Sequence, residues 1–288
     1  MSPDAPADPL AERLQESGAL TPVARRVTRF IAENRALALA CSAAELARRT
    51  GTSDASVIRA VQALGFAGLP ELRRALAESL GASPAAAMRE TLAEAGAEIG
   101  GAVELVLATQ REAVEALASA QQAIRDAVGV LQPAARILAF GLGPSASLAR
   151  YAALLLGRAG RRAGALDGSG IALADQMLDL APGDALLVLA YDRAYREVTA
   201  LFAEARLRRL PIVLVTDSLE ERLARQAAVV IPARRGRARR VALHGATLVA
   251  LEALVLGLAV AEGGRAVAAL ERLNDLRAAI LGQGHAVG

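Results

Sequence analysis

The sequence predicts an α/β protein, with an all-helical N-terminal domain followed by a doubly wound parallel sheet. Residues 42–66 contain two short amphipathic segments joined by a glycine-containing turn, which is the pattern of a helix-turn-helix. From residue 135, short apolar runs alternate with helical segments, which is the pattern of a parallel sheet with helices on both faces. The 288 residues are enough for two domains, each with a core.

The composition bounds the chemistry of the chain. A content of 54% hydrophobic and 2% aromatic residues predicts an aliphatic core. All 33 basic residues are arginine, and the net charge of +3 supports nucleic-acid binding only weakly. Cys41 is the single cysteine, so the chain forms no internal disulfide and no cysteine-based zinc site of its own. We expect no cofactor and no metal ion.

Two segments bear on location. The N-terminus is acidic and proline-rich and lacks the basic start and apolar run of a signal peptide, so we expect a cytoplasmic protein. The apolar run at 247–261 is shorter than the ~20 residues that a membrane span requires. Because Glu252 also interrupts this run, it predicts a buried core helix, and we expect no membrane partner.

The first domain is expected at residues 1–80. Thr21-Pro22 predicts a helix start with proline in the first helical position, and an apolar stripe continues to Asn34. In the helix-turn-helix, Ser42 is placed to cap the first helix, with Glu45 at the position of a capping-box carboxylate. Gly51 supplies the left-handed residue that ends this helix, and Ser53 is placed to cap the next one. A further helix at about 69–80 closes the domain.

The second helix of the motif has two different faces. Four apolar side chains fall on one side and predict packing against the domain core: Val57, Ile58, Val61 and Leu64. Arginine can bond a guanine edge, glutamine an adenine edge, and serine a base or a phosphate. We expect DNA contacts from the opposite side of this helix and from its approach: Arg48, Arg49, Thr52, Ser53, Ala55, Ser56, Arg59 and Gln62. The alternative is an ordinary helical hairpin with a solvated polar face.

A helical connector is expected at 81–130. The segment G-A-S-P at 81–84 indicates a boundary, and a region rich in Ala, Glu and Leu follows. We expect this region to break near Gly100-Gly101. It either bridges the domains or packs at an oligomer interface.

Residues 131–288 are expected to form the sheet domain. Buried strands are predicted at 136–140, 162–167, 185–191, 211–217 and 228–231, with helices at 145–159, from the third strand to about 209, and at 244–262. Because ligands of such sheets bind at the carboxyl ends of the strands, the loops to watch are 141–147, 167–170, 191–196 and 216–219.

Three segments carry a family resemblance: residues 20–31, 44–59 and 64–73, where the Ser53-to-Arg59 pattern is most specific. With F-G-L-G-P-S-A-S at 140–147, A-P-G-D at 181–184 and V-T-D-S at 215–218, the chain resembles the MurR/RpiR family of transcriptional regulators. The resemblance implies an N-terminal DNA-binding domain and a sugar isomerase (SIS) domain that senses phosphosugars. A protein of this kind is expected to bind a palindromic operator as a homodimer or homotetramer.

The ligand side departs from the family pattern. SIS domains that hold a phosphosugar usually show S-x-S-G-x-T-x-E after the third strand, whereas residues 190–197 read A-Y-D-R-A-Y-R-E. Either Arg193 rebuilds an anion site with Ser145 and Ser147, or the pocket binds something other than a phosphosugar; a purely structural SIS domain is the third reading. The candidate effector-binding residues are Gly143, Ser145, Ser147, Tyr191, Asp192, Arg193, Thr216 and His244.

A ligand-responsive regulator is therefore the expected function, and a sugar-phosphate isomerase is the alternative. Isomerisation needs a positioned base, for which Glu197 and His244 are the candidates. Because the phosphate loop is altered, we expect no enzyme and no catalytic residues. The cationic loop at 234–240 is expected to be solvated, or else to contact the DNA backbone or a partner subunit.

Overall fold

The structure is a computed structural model that describes residues 20–79, 84–191, 195–217 and 221–281. The chain divides into two compact units. One comprises Met1–Ala97 with Ala238–Val241, and the other comprises Glu98–Arg237 with Ala242–Gly288. Asp192 and Arg193, two of the residues expected to bind the effector, lie outside the described residues.

The first unit is a helical bundle with an aliphatic core. Its described helices are α1 (Pro22–Glu33), α2 (Arg35–Ala40), α3 (Ala43–Thr50), α4 (Asp54–Ala63), α5 (Leu69–Ser79) and α6 (Pro84–Ala95). The core joins side chains from α1, α3, α4 and α5, among them Ile31, Leu46, Val57, Val61 and Leu72. The sequence predicted α1, α3, α4 and α5, and the structure confirms them.

Helix α2 was not predicted. Its six residues follow the N-cap residue Asn34, whose side chain makes no capping hydrogen bond, so no local signal marks the start. Tertiary contacts hold it: Ala38 is buried, and Arg73 on α5 donates hydrogen bonds to the carbonyls of Ala38 and Cys41. The lone Cys41 is buried where α2 ends, as expected of a small apolar residue.

The break that we expected near Gly100-Gly101 lies a few residues earlier, between Gly96 and Glu98. Helix α6 ends one residue before Gly96, which has a φ of 78°, and the next helix, α7 (Ile99–Ala118), includes both Gly100 and Gly101 in its first turn. Glycine stops a helix where it adopts the left-handed conformation, and only Gly96 does so here. A second interruption at Ser119-Ala120 separates α7 from α8 (Gln121–Leu131).

Five parallel strands form the sheet of the second unit. They are β1 (Arg136–Gly141), β2 (Ala163–Leu166), β3 (Asp184–Leu189), β4 (Ile212–Thr216) and β5 (Val229–Pro232). The spatial order is β2-β1-β3-β4-β5, with Leu138 opposite Gly164 and Leu186 in neighbouring strands. The chain leaves β1 toward β2 and returns to pair β3 on the other side of β1. This order reverses between β1 and β3, which is where ligands of doubly wound sheets bind.

Helices cover both faces of the sheet, as predicted. Helices α8, α9 (Pro144–Arg158) and α13 (Gly245–Ala261) pack on the face that carries Ile137, Leu187 and Val213. Helices α10 (Ile171–Met177) and α11 (Arg196–Arg208) pack on the face that carries Phe140 and Val188. The remaining helices are α12 (Glu221–Ala224) and α14 (Arg265–Leu281), and the sequence had not predicted α10, α12 or α14.

The apolar run at 247–261 is a core helix. Ala250, Leu251, Leu254 and Leu258 of α13 are fully buried against the sheet. In the described part of the chain, no single helix has the length and apolar character of a membrane span. The pair α13 and α14 passes that test together, but the two helices meet at a 104° bend.

Candidate DNA-binding helix and effector site

The turn between α3 and α4 has the geometry of a helix-turn-helix. Gly51 ends α3 with a φ of 63°, and the amide of Thr52 donates to the carbonyl of Ala47 at 2.9 Å. Ser42 and Ser53 cap α3 and α4, because their hydroxyl oxygens accept hydrogen bonds from the amides three residues on, at 3.2 and 3.3 Å. These local signals were all present in the sequence, and the structure confirms them.

Helix α4 buries one face and exposes the other. Val57, Ala60 and Val61 are fully buried. Ile58 is half-buried against the same core, so its predicted core contact is partial. The residues that we expected to face DNA are exposed or half-buried: Ala55, Arg59 and Gln62 are exposed, and Ser56 is half-buried.

The exposed face of α4 is partly preorganised. The hydroxyls of Ser53 and Ser56 share a hydrogen bond at 2.9 Å, and Arg59 donates to the Ser56 hydroxyl at 3.4 Å. The Thr52 hydroxyl is bound to that of Thr50 at 2.8 Å, which fixes it at the turn. Arg59 is thereby held along its own helix, with Gln62 one turn further on.

Arg48 and Arg49 share one carboxylate. Glu45 lies 3.3 Å from the guanidinium of Arg48 and 3.1 Å from that of Arg49. The Glu45 side chain, which the sequence placed for a capping box, thus reaches toward the C-terminal end of α3. This pairing neutralises part of the positive charge beside the turn.

Further arginines lie on the surface of α1. Arg25, Arg26 and Arg29 are all exposed, while Val27 between them is buried. The Arg26 guanidinium lies beside Gly51, so α1 adds positive charge next to the helix-turn-helix turn.

In the second unit, three of the expected effector-binding residues follow the carboxyl end of β1: Gly143, Ser145 and Ser147. Gly141 packs so closely on α9 that a side chain there would lie 2.5 Å from the Ser145 carbonyl oxygen. Gly143 has a φ of 57°, a conformation that favours glycine, and it is the N-cap residue of α9. Ser145 is buried, whereas Ser147 is exposed and accepts a hydrogen bond from Arg150 at 3.2 Å.

A polar cluster lies at the carboxyl ends of β3, β4 and β5, and we call it the Tyr191 cluster. It consists of Tyr191, Asp217, Arg235, His244 and Thr247. The Arg235 guanidinium lies 3.9 Å over the Tyr191 ring, and its Nε donates to Asp217 at 3.1 Å. The Tyr191 hydroxyl bonds Thr247 at 2.8 Å, and His244 contacts the Tyr191 ring edge-on with centroids 5.8 Å apart.

Burial controls the protonation of this cluster. It raises the pKa of Tyr191 to about 12, so the phenol stays neutral at physiological pH. Burial and the neighbouring Arg235 charge lower the pKa of His244. The cluster therefore holds two neutral rings and one paired guanidinium.

Two buried polar atoms near the sheet edge have no hydrogen-bond partner among the described residues. They are Nδ1 of His244 and Oγ1 of Thr216. Buried polar atoms in native proteins are normally satisfied, and an exception calls for a ligand, a water or strain. Thr216 alternates with Val215 along β4 and therefore faces the α11 side, away from Tyr191.

The structure thus brings Tyr191 and His244 together and adds two partners that were not among the expected effector-binding residues. Asp217 and Arg235 come from two loops, and each follows the end of a buried strand. The sequence had placed Asp217 in the loop 216–219 and Arg235 in the cationic loop at 234–240, but it had not joined the two. Gly143, Ser145 and Ser147 lie at the end of the neighbouring strand β1, outside the Tyr191 cluster.

The cationic loop at 234–240 is largely paired. Arg237 reaches Glu112 at 3.3 Å, and Arg239 and Arg240 bind Glu90, with Arg240 also 2.6 Å from Glu94. Acidic side chains on α6 and α7 meet these guanidinium groups, while Arg237 and Arg239 stay 59% and 65% exposed, as expected of a solvated loop. Contact of this loop with the DNA backbone or a partner subunit stays a prediction.

Two protein-family profiles match the chain. "Helix-turn-helix domain, rpiR family" matches residues 10–83, and "SIS domain" matches residues 130–260. Together these matches span more than two thirds of the chain.

Among known proteins, the chain is similar to YfhH of Escherichia coli (strain K12), an uncharacterised helix-turn-helix-type transcriptional regulator. The identity is 29% over 175 residues, which cover 58% of this chain. The matched region spans 60% of that regulator's length.

Two solved structures share the fold. One is the Vibrio vulnificus NanR protein complexed with ManNAc-6P, with a TM-score of 0.57 and 20% identity over 96% of this chain and 100% of that one. The other is the sugar isomerase domain of an RpiR transcription factor from Sphaerobacter thermophilus, with a TM-score of 0.54 and 26% identity over 59% of this chain and 96% of that one.

Proposed function

Because the chain belongs to the rpiR family of helix-turn-helix proteins and carries an SIS domain, we propose that it is a ligand-responsive regulator of transcription. Residues 1–80 bind operator DNA, residues 81–130 form a helical connector, and residues 131–288 sense a small sugar-related metabolite. The protein acts in the cytoplasm, where its operator is.

The two-faced helix α4 is the observation that carries DNA binding. Its buried face fixes the helix on the bundle, and its exposed face offers Arg59 and Gln62 behind the small Ala55. A guanidinium can bond guanine O6 and N7 bidentately, and an amide can bond adenine N6 and N7. Small residues at the start of α4 allow the helix to approach the floor of the major groove.

Phosphate contacts come from the arginines around the turn. Arg26 on α1 and Arg48 and Arg49 on α3 are exposed beside Gly51. Contacts of this type set the affinity and the register of a protein on DNA, while base contacts set sequence preference.

The effector binds at the carboxyl edge of the sheet. Support comes from the order reversal between β1 and β3, from the Tyr191 cluster, and from the unpartnered atoms of Thr216 and His244. An effector that binds two arrangements of the protein with different affinity shifts the operator affinity by the same coupling free energy.

Self-association as a homodimer or homotetramer is supported by exposed aliphatic side chains. Leu256 and Val260 on α13 are 66% and 77% exposed, and Ile280 on α14 is 80% exposed. Helix α14 has 17 residues but no buried one, so packing within its own chain holds it weakly. A second copy that covers these faces also provides the symmetry that a palindromic operator requires.

We propose no catalytic role for Glu197 or His244. The His244 imidazole packs on Tyr191, and Glu197 lies in the first turn of α11. Among the described residues, neither side chain lies beside a group of donors that would hold the phosphate of a substrate.

A selection experiment tests this function. Purified protein is mixed with a random-sequence duplex library, and bound duplexes are amplified and sequenced over several rounds. We expect enrichment of an inverted repeat with half-sites about one or two helical turns apart. A library that stays unenriched, with binding that depends on salt alone, contradicts the proposal.

A further inference from the structure

The Tyr191 cluster presents no unpaired charge to a ligand. Arg235 uses both its backbone amide and its Nε to bind Asp217, at 3.2 and 3.1 Å. Both side chains are largely buried, at 12% and 18% exposure, so water screens this pair only weakly. The face of the guanidinium lies on the Tyr191 ring, which leaves little of it for an incoming group.

A phosphate group is poorly matched to the Tyr191 cluster. To bind Arg235 bidentately, it would have to displace Asp217 and leave that carboxylate beside a second negative charge. At the ends of β1 and β2, the Arg150 guanidinium lies 3.8 Å from Asp167 and also bonds Ser147. Both of these arginines therefore already have a carboxylate neighbour.

One buried polar atom of the cluster, His244 Nδ1, is sealed from solvent and lacks a hydrogen-bond partner among the described residues. A neutral imidazole nitrogen is a donor in one tautomer and an acceptor in the other. A hydroxyl group can serve either tautomer, because it both donates and accepts. Thr216 Oγ1, at the end of β4, is also buried without a partner among the described residues, and it lies on the other side of the sheet.

We propose that the effector is an uncharged, polyhydroxylated molecule, such as a free sugar or a sugar alcohol, that places a hydroxyl on His244 Nδ1. This inference rests on the proposed function, which locates the effector at this sheet edge. Because Nδ1 is sealed, the ligand reaches it only by moving a neighbouring side chain of the Tyr191 cluster. The Arg235–Asp217 pair stays intact and orients the Tyr191 ring.

Matched ligand pairs test the charge preference. Ribose, fructose and sorbitol are titrated into the full-length protein by calorimetry, each beside its phosphate ester, with inorganic phosphate as a competitor. We expect at least one uncharged compound to bind at least tenfold more tightly than its ester, and phosphate not to compete. Tighter binding of an ester, competition by phosphate, or binding by none of the uncharged compounds overturns the inference.

Substitutions at His244 test whether its Nδ1 contacts the ligand. His244→Phe keeps a buried ring but removes Nδ1, and we expect it to lower the affinity for the uncharged ligand at least tenfold. His244→Asn places an amide near the same position and is expected to recover much of the loss. Arg234→Gln, an exposed position beside Arg235, is the control and should leave affinity unchanged. Unchanged affinity in His244→Phe overturns the assignment, and the melting temperature of each variant separates misfolding from lost contact.

The outcome is separable from that of the proposed function. DNA selection is run on the same preparation without any ligand. Operator enrichment with failure of the ligand series overturns only the effector class, whereas absent enrichment overturns the regulator itself.

Discussion

Removal of the Glu45 carboxylate is expected to strengthen DNA binding. Glu45 holds Arg48 and Arg49 at 3.3 and 3.1 Å, so Glu45→Gln releases both guanidinium groups beside the helix-turn-helix turn. Each additional phosphate contact steepens the slope of log K against log salt by about 0.9. At 0.1 M salt this corresponds to roughly eightfold tighter binding for one released arginine and at most about sixtyfold for both.

The cost in stability is of a size similar to the gain in binding free energy. The two pairs are exposed, within one helix, and contribute about 0.3–0.5 kcal/mol each. The loss of an acidic group from the first turn adds about 0.3–1 kcal/mol. The unfolding free energy should therefore fall by roughly 1–2 kcal/mol in total.

Fluorescence anisotropy of a labelled duplex, measured from 50 to 300 mM salt, is the assay. Glu33→Gln removes the same charge from an exposed site on α1 and serves as the matched control. An unchanged slope in Glu45→Gln, or equal gains in both variants, would refute the idea that Glu45 holds these arginines back from phosphate.

Three further predictions concern the second unit. Arg161→Met removes the donor to three carbonyls at and just after the end of α8, and it leaves the buried Glu262 carboxylate with Arg265 alone, at 3.4 Å. We expect a loss of about 3–5 kcal/mol and a fall in Tm of roughly 6–20 °C, partly recovered by Glu262→Met in the same chain; an unshifted melting curve would rule this out. The pKa of His244 is lowered in the folded state, so the unfolded chain takes up a proton at this residue more readily below about pH 6.5. The free energy of unfolding should therefore fall on acidification, and chemical denaturation at pH 5.5 and 7.5 should show a smaller fall in His244→Gln than in the parent protein. Leu256→Glu with Val260→Glu should lower the molar mass measured by light scattering, and an unchanged mass would place the subunit interface elsewhere.

Local signals made the helix-turn-helix predictable from sequence. Ser42, Gly51 and Ser53 each have a short-range partner within their own helix end, so the structure could only repeat what the spacing implied. Helix α2 was missed because it depends on tertiary contacts. The break at Gly96 was placed a few residues too late, because its position depends on which of several glycines adopts the left-handed conformation.

The candidate effector site was predictable only in part. Tyr191 and His244 lie next to predicted strand and helix ends, and that position identified them. Arg235 and Asp217 meet Tyr191 through a cation–π contact and an ion pair between separate loops, which no spacing along the chain encodes. The loops that hold these charged residues were therefore predictable from the sequence, but the pairing between them was not.

Sequence discrimination by Arg59 tests the central claim most directly. On the operator selected above, Arg59→Ala should reduce the preference over a duplex altered at the contacted base pair by about 1–3 kcal/mol, or roughly 5- to 150-fold. Arg48→Ala should weaken binding to both duplexes equally, since Arg48 is a residue that we propose to contact phosphate alone. If Arg59→Ala kept the full discrimination of the parent protein, α4 would not be the helix that recognises DNA.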